Sequence, residues 1–182
     1  ISKLFEYKPP RLAIKYKKII DALRPKGCRF FLDSGAFSIK ERTGWISLDE
    51  YCDFVRCYGR KFDTVACLDV IGDTAKSIEN FKYMVKNGAD HDNLVLAWHA
   101  GQPVELLEKC IALTDYIGLG GMAKGYEIGA RIKQAEKAIS VVKSKDRKVK
   151  IHLFGTGRPN LIRRFNKDVY STDSTSWNIG SK

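Results

Sequence analysis

Thr64-Val65-Ala66-Cys67-Leu68-Asp69-Val70 is an unbroken apolar run that stops at Ile71-Gly72-Asp73. A helical spacing follows, with Ile78, Phe81 and Val85 on one face and Gly88 at its end. A strand apolar on both faces suits the interior of a parallel sheet, and the helix after it supplies the crossover such a sheet needs. The same unit recurs on both sides of it. Downstream, Leu94-Val95-Leu96-Ala97-Trp98-His99 precedes a helix from about Pro103 with Val104, Leu107 and Ile111 on one face. Tyr116-Ile117-Gly118-Leu119-Gly120-Gly121 precedes a longer helix striped by Ile128, Ile132, Ala135, Ile139 and Val142. Val149 to Phe154 ends at Gly155-Thr156-Gly157, a short helix spans Leu161 to Phe165, and a strand from Val169 to Trp177 closes the series. Upstream, Arg29-Phe30-Phe31-Leu32-Asp33 opens into Ser34-Gly35-Ala36-Phe37. Ser47-Leu48-Asp49-Glu50 then forms a capping box for a helix with Leu48, Tyr51, Cys52 and Val55 inward, stopped by Gly59.

This pattern predicts six strands alternating with five helices, with residues 1–28 as a basic helical segment ended by Pro25-Lys26-Gly27. Strictly alternating strands and helices mean an α/β protein, built either as an open doubly wound sheet or as a (β/α) barrel. Asp33, Asp69, His99, Gly120, Gly121, Gly155 and Asp173 fall at the C-terminal ends of successive strands. A barrel gathers those ends into one ring, whereas an open sheet spreads them over two crevices. The expectation is therefore a TIM-type (β/α) barrel forming a single catalytic domain over 1–182. Six of the usual eight strands would be visible. The chain opens on Ile1 rather than methionine, and it is read as beginning inside a longer chain.

Composition narrows the function. With 182 residues and 44% hydrophobic content, the chain is long and apolar enough to bury a core. No apolar run approaches the roughly 20 residues that span a bilayer, and the start lacks a secretory signal, so cytoplasm is the expected location and no membrane partner is expected. The five cysteines form no C-x-x-C pair and are read as reduced core thiols; neither they nor His91, His99 and His152 are spaced for a zinc site. A net charge of +11 favours a polyanionic partner.

Several residues admit two readings. Asp173, in Tyr170-Ser171-Thr172-Asp173-Ser174-Thr175-Ser176-Trp177, is a candidate nucleophile presented at a strand end, or the start of an Asx turn. Asp73 reads as an N-cap, and His91 as a surface loop residue. His152 is either a core histidine or part of a site. Gly155-Thr156-Gly157 is a strand-to-helix turn or a phosphate cradle. Lys145, Arg147, Lys148, Arg163 and Arg164 are either solvated or a patch that tracks a nucleic-acid backbone.

Leu32-Asp33-Ser34-Gly35-Ala36-Phe37, Leu68-Asp69, Gly118-Leu119-Gly120-Gly121-Met122-Ala123, Leu153-Phe154-Gly155-Thr156-Gly157 and Thr172-Asp173-Ser174 stand in the order and approximate spacing of motifs in tRNA-guanine transglycosylases. The chain resembles a compact, phage-type relative of these enzymes, linked to 7-deazaguanine insertion in nucleic acid. The resemblance implies that Asp173 attacks the anomeric carbon of the target nucleoside and that Asp33 is the general acid and base. It implies that Asp69, Gly120, Gly121, Phe37, Phe154 and His99 bind the base. Asp69 would read the guanine edge, the glycines would let the base approach, and the two phenylalanines would stack on it. Two departures stand out: Ser38 replaces the glutamine usual after the first motif, and His99 stands where the family has a second base-binding glutamine.

The expected function is thus a base-exchange glycosyltransferase (a pentosyltransferase). It would replace guanine with a 7-deazaguanine base such as queuine in tRNA or DNA, through a covalent aspartyl intermediate, with the target nucleotide flipped out. The alternative is a non-catalytic nucleic-acid-binding subunit of a base-modification complex. No cofactor is expected, with zinc only if a C-terminal extension beyond residue 182 supplies the ligands. Partners would be nucleic acid and the free base. A homodimer stays open. If the protein is phage-encoded, its location would be the host cytoplasm.

Overall fold

A computed structural model describes residues 2–6, 13–36, 47–90, 92–121, 128–157 and 159–173. Its strands are β1 (Ser2–Glu6), β2 (Arg29–Asp33), β3 (Thr64–Ala66), β4 (Leu94–His99), β5 (Tyr116–Gly120), β6 (Lys150–Leu153) and β7 (Ser171–Thr172). Its helices are α1 (Ala13–Leu23), α2 (Leu48–Tyr58), α3 (Thr74–Lys86), α4 (Val104–Leu113), α5 (Ile128–Lys143) and α6 (Pro159–Phe165). The chain divides into two compact units, Ile1–Val70 with Lys76–Val95 and Ile71–Ala75 with Leu96–Lys182.

In the first unit β1, β2 and β3 pair in parallel, and β3 pairs with Leu94 and Val95 of β4. Phe30, Leu32, Val65, Ala66 and Leu94 are buried, as their apolar runs require. Tyr51 of α2 packs beneath this sheet with no exposed surface, and its hydroxyl donates to the Ala66 carbonyl at 2.6 Å. Burial pushes its phenol pKa well above the ordinary value, and the neighbouring Cys67, Asp33 and Asp69 add to the rise. Asp63 anchors the start of β2 by accepting from the Phe30 N–H at 2.7 Å and from Arg24 at 3.1 Å. Partial burial opposes ionisation of Asp63, yet these donors outweigh it and hold its carboxyl below the usual range.

Helix boundaries follow local chemistry. The Ser47 hydroxyl accepts from the Glu50 N–H at 3.4 Å, as the capping box predicts. α3 ends in a Schellman motif: Gly88 adopts φ 73°, and Ala89 N–H reaches the Met84 carbonyl at 2.9 Å.

Residues 96–99 of β4, with β5, β6 and β7, make the parallel sheet of the second unit. Its centre is almost wholly apolar: Leu96, Ile117 and Leu119 have no exposed surface and Ile151 has 2%. Each such side chain contributes about 1.5–3 kcal/mol of burial energy. Leu107, Cys110 and Ile111 of α4 and Ala135, Ala138, Ile139 and Val142 of α5 are the buried stripes of their helices. The protein is thus an α/β protein of parallel strands alternating with helices.

Three expectations change. The segment 1–28, predicted to be helical, contains strand β1, and among its described residues only α1 and a short 3-10 turn are helical. A five-residue strand is too short to show a period, and its stabilising partner is β2, more than twenty residues away in sequence. Val85 is 40% exposed while Met84 takes the inward position, so the stripe of α3 runs Ile78, Phe81, Met84. The strand expected over Val169 to Trp177 is ordered as Ser171–Thr172 with Tyr170 54% exposed, and residues beyond Asp173 lie outside those described.

All five cysteines are free; Cys28, Cys52, Cys67 and Cys110 are buried as expected of core thiols, whereas Cys57 is exposed and corrects that reading. Burial raises the Cys52 thiol to about 11 and Cys110 to about 12. Alkylation of the native protein at mildly alkaline pH is therefore expected to modify Cys57 and spare the other four until denaturant is added. Peptide mapping that finds Cys52 or Cys110 labelled at the same rate as Cys57 would contradict this packing.

Candidate functional site

The register of the second unit brings predicted residues into one row. His99 pairs with Gly120, Leu119 with Leu153, and Leu153 with Thr172, so the row one step further holds His99, Gly120, Phe154 and Asp173. Neighbouring positions in paired parallel strands share a face, which puts these four side-chain positions on the same side of the sheet. Gly118, His152 and Ser171 form the row just before it on that face.

Asp173 follows β7 directly. Its side chain keeps 20% of its surface. Its Oδ1 accepts from the Gly155 N–H at 2.8 Å and lies 3.1 Å from His152 Nε2. Gly155 adopts φ 66°, a left-handed conformation that turns its N–H toward the carboxylate. Thr172 donates its hydroxyl to the Thr156 carbonyl, which ties the Gly155-Thr156-Gly157 turn to β7. This turn leads from β6 toward α6, and its Gly155 N–H serves a carboxylate of the chain itself, a role the sequence reading did not name.

His152 is buried, with 1% exposure. Its Nδ1 lies 2.8 Å from Ser171 Oγ, which in turn lies 2.7 Å from the Tyr116 hydroxyl. The Phe154 ring meets the imidazole edge to face, with centroids 4.5 Å apart. Gly155 as a partner of Asp173, and Ser171 and Tyr116 as the groups behind His152, do not stand out from the sequence. Ser171 stands two residues before Asp173, so strand alternation alone could have placed it beside the carboxylate on one face.

His99 is 3% exposed, and its backbone N–H donates to Thr74 Oγ1 at 3.2 Å. Its ring lies over Gly120, where an added Cβ would stand 2.9 Å from His99 Cδ2 and 3.2 Å from Nε2. The bare backbone at Gly120 is thus occupied by this ring. Gly121, at φ 77°, lies close to the Ala100 backbone, 3.2 Å from the position of a Cβ. Gly120→Ala must displace a buried imidazole and is expected to cost about 1–3 kcal/mol. Urea unfolding should show a lower midpoint, and pairing the change with His99→Ser should recover part of it. An unchanged midpoint would mean that the ring has room to move.

Asp33 and Asp69 belong to the first unit and are half-buried. The fully buried Ser34 hydroxyl donates to Asp69 Oδ1 at 3.0 Å. Phe37, His91 and residues 174–182 lie outside the described residues.

The basic residues are engaged locally. Lys145 pairs with Glu108 at 2.5 Å, Arg147 with Asp115 and the Ile111 carbonyl, and Arg164 with Glu136. Lys148 and Arg163 are exposed. Exposed pairs of this kind contribute about 0–1 kcal/mol and open readily, so these cations remain exchangeable for a polyanion. Among the described residues no group of three or more His, Cys, Asp or Glu side chains is placed to hold a metal ion, and no helix is long and apolar enough to cross a membrane.

No protein-family model matches the sequence, and no curated protein matches it.

Proposed function

We propose that this protein is a base-exchange glycosyltransferase acting on a nucleic acid, with Asp173 as nucleophile. The observation that carries the reading is the state of this carboxylate. It stands at a strand end, partly open, with both hydrogen bonds recorded among the described residues ending on Oδ1. That leaves the lone pairs of Oδ2 for a reacting carbon. Phe154 occupies the adjacent register position, where its ring offers a stacking surface for a base.

In the proposed reaction Asp173 attacks the anomeric carbon as the bond to guanine N9 breaks, and the bonding pair stays on the base. Asp33 gives the departing base its proton. The incoming 7-deazaguanine then attacks the same carbon, the aspartyl ester bond breaks, and Asp33 takes the proton that the new base loses. Two inversions retain the configuration. Asp69 is assigned to the N–H edge of the base. The resemblance to tRNA-guanine transglycosylases supports these roles, as does the placing of Asp33 and Asp173 at the ends of β2 and β7. A TIM-type barrel belongs to the same proposal, supported by parallel pairing between sequence neighbours throughout.

The test is incubation with radiolabelled guanine and either tRNA or duplex DNA, followed by counting of precipitated polymer. Label entering one of them is expected. Label in neither, with the polymers carrying unmodified guanine, overturns the reading.

A further inference from the structure

The exchange reaction calls on Asp173 but gives no task to the three side chains tied to it in line: His152, Ser171 and Tyr116. A buried imidazole is costly unless its nitrogens are hydrogen-bonded, and here both have partners, Ser171 Oγ at 2.8 Å and Asp173 Oδ1 at 3.1 Å. The line has a direction. A carboxylate only accepts, so Nε2 carries the hydrogen, and in the neutral imidazole Nδ1 is then the acceptor. Ser171 must then donate to Nδ1, and its oxygen accepts from the Tyr116 hydroxyl at 2.7 Å. Each member fixes the next, and the edge-to-face contact with Phe154 holds the plane of the ring.

We infer that His152 is a positioning residue for the Asp173 carboxylate, locked in its Nε2–H tautomer by Ser171 and Tyr116. This inference rests on the base-exchange reading of Asp173. With Oδ1 taken by the imidazole N–H and the Gly155 N–H, rotation of the carboxylate about its Cβ–Cγ bond is stopped. Oδ2 is left as the attacking oxygen. A histidine that merely filled the core would need no donor aimed at the nucleophile.

The test pairs a spectroscopic readout with kinetics. Nitrogen-15 NMR of the histidine side chains should show Nε2 of His152 protonated and Nδ1 unprotonated in the wild type, with the Nδ1 resonance displaced in Ser171→Ala because its hydrogen-bond donor is gone. With labelled guanine and saturating polymer, His152→Leu should lower kcat about tenfold to a hundredfold with KM little changed, the loss expected of one hydrogen bond to a charged group. His152→Gln, whose amide N–H can stand in for Nε2–H, should recover most of that loss. Wild-type kcat in a folded His152→Leu protein overturns the inference. If that variant does not fold, a Gln variant no better than Ser171→Ala overturns it. Should the wild type exchange no base at all, the parent reading falls by itself. The tautomer then decides the positioning: Nδ1–H in the wild type, or no change in Ser171→Ala, overturns it.

Discussion

Asp173→Asn is expected to lower the rate of base exchange by at least about three orders of magnitude while polymer affinity changes by less than about threefold. Asparagine keeps the outline of the side chain and can still accept from the Gly155 N–H and from His152, so the turn around it should persist. What it loses is nucleophilicity, because an amide oxygen does not form a stable ester with the anomeric carbon. Removing the covalent step rather than a binding contact lowers kcat and kcat/KM together. A residue that only shaped an Asx turn would tolerate the change, since Asn and Asp serve such turns almost equally. Wild-type exchange in the variant would mean that Asp173 is not the nucleophile. Denaturing gel analysis of a polymer-linked intermediate gives a second measurement, with the adduct expected in the wild type and lost in Asp173→Asn.

The largest effect on stability is expected at Ile117. Ile117→Ala, at a position with no exposed surface in the middle of β5, removes contacts from a strand whose pairing residues on both sides, Leu96 and Ile151, are also buried. Packing on both faces of such a sheet leaves little freedom to collapse into the space, so a loss of about 2–5 kcal/mol follows. Chemical denaturation should show this as a shifted midpoint with an unaltered slope, and a cost below about 1 kcal/mol would mean that the neighbours close the gap.

Most of the strand and helix order was legible because buried parallel strands write themselves as apolar runs. Leu94–His99 and Tyr116–Gly120 fall within the segments so predicted. β1 was not, since the hydrogen bonds that define it come from β2. Val85 and Met84 exchanged places because adjacent apolar residues at the end of a helix leave the face undetermined to within about 100°, one residue's rotation. At the site, Asp173 and Phe154 could be named from sequence motifs, and strand register then placed them side by side. The partners of the carboxylate were harder to see. His152 and Ser171 meet only because β6 and β7 pair in one register, and pairing register is a property of two distant segments that neither displays alone. Gly120 was legible as a place of close approach, but what approaches it is His99, through a contact between strands.

The Gly155 donor has a consequence for how this site can be mapped. Its partner in the bond to Asp173 is a main-chain amide, and every residue except proline carries one. Replacing Gly155 with alanine strains the left-handed turn at φ 66° by about 1 kcal/mol yet keeps the N–H itself. Substitution by alanine would therefore score the position as a mild folding defect and overlook the atom, and proline would remove it only together with the turn's conformation. Its weight would emerge from backbone chemistry, by exchanging the amide for an ester through semisynthesis, which deletes one hydrogen and leaves every side chain in place.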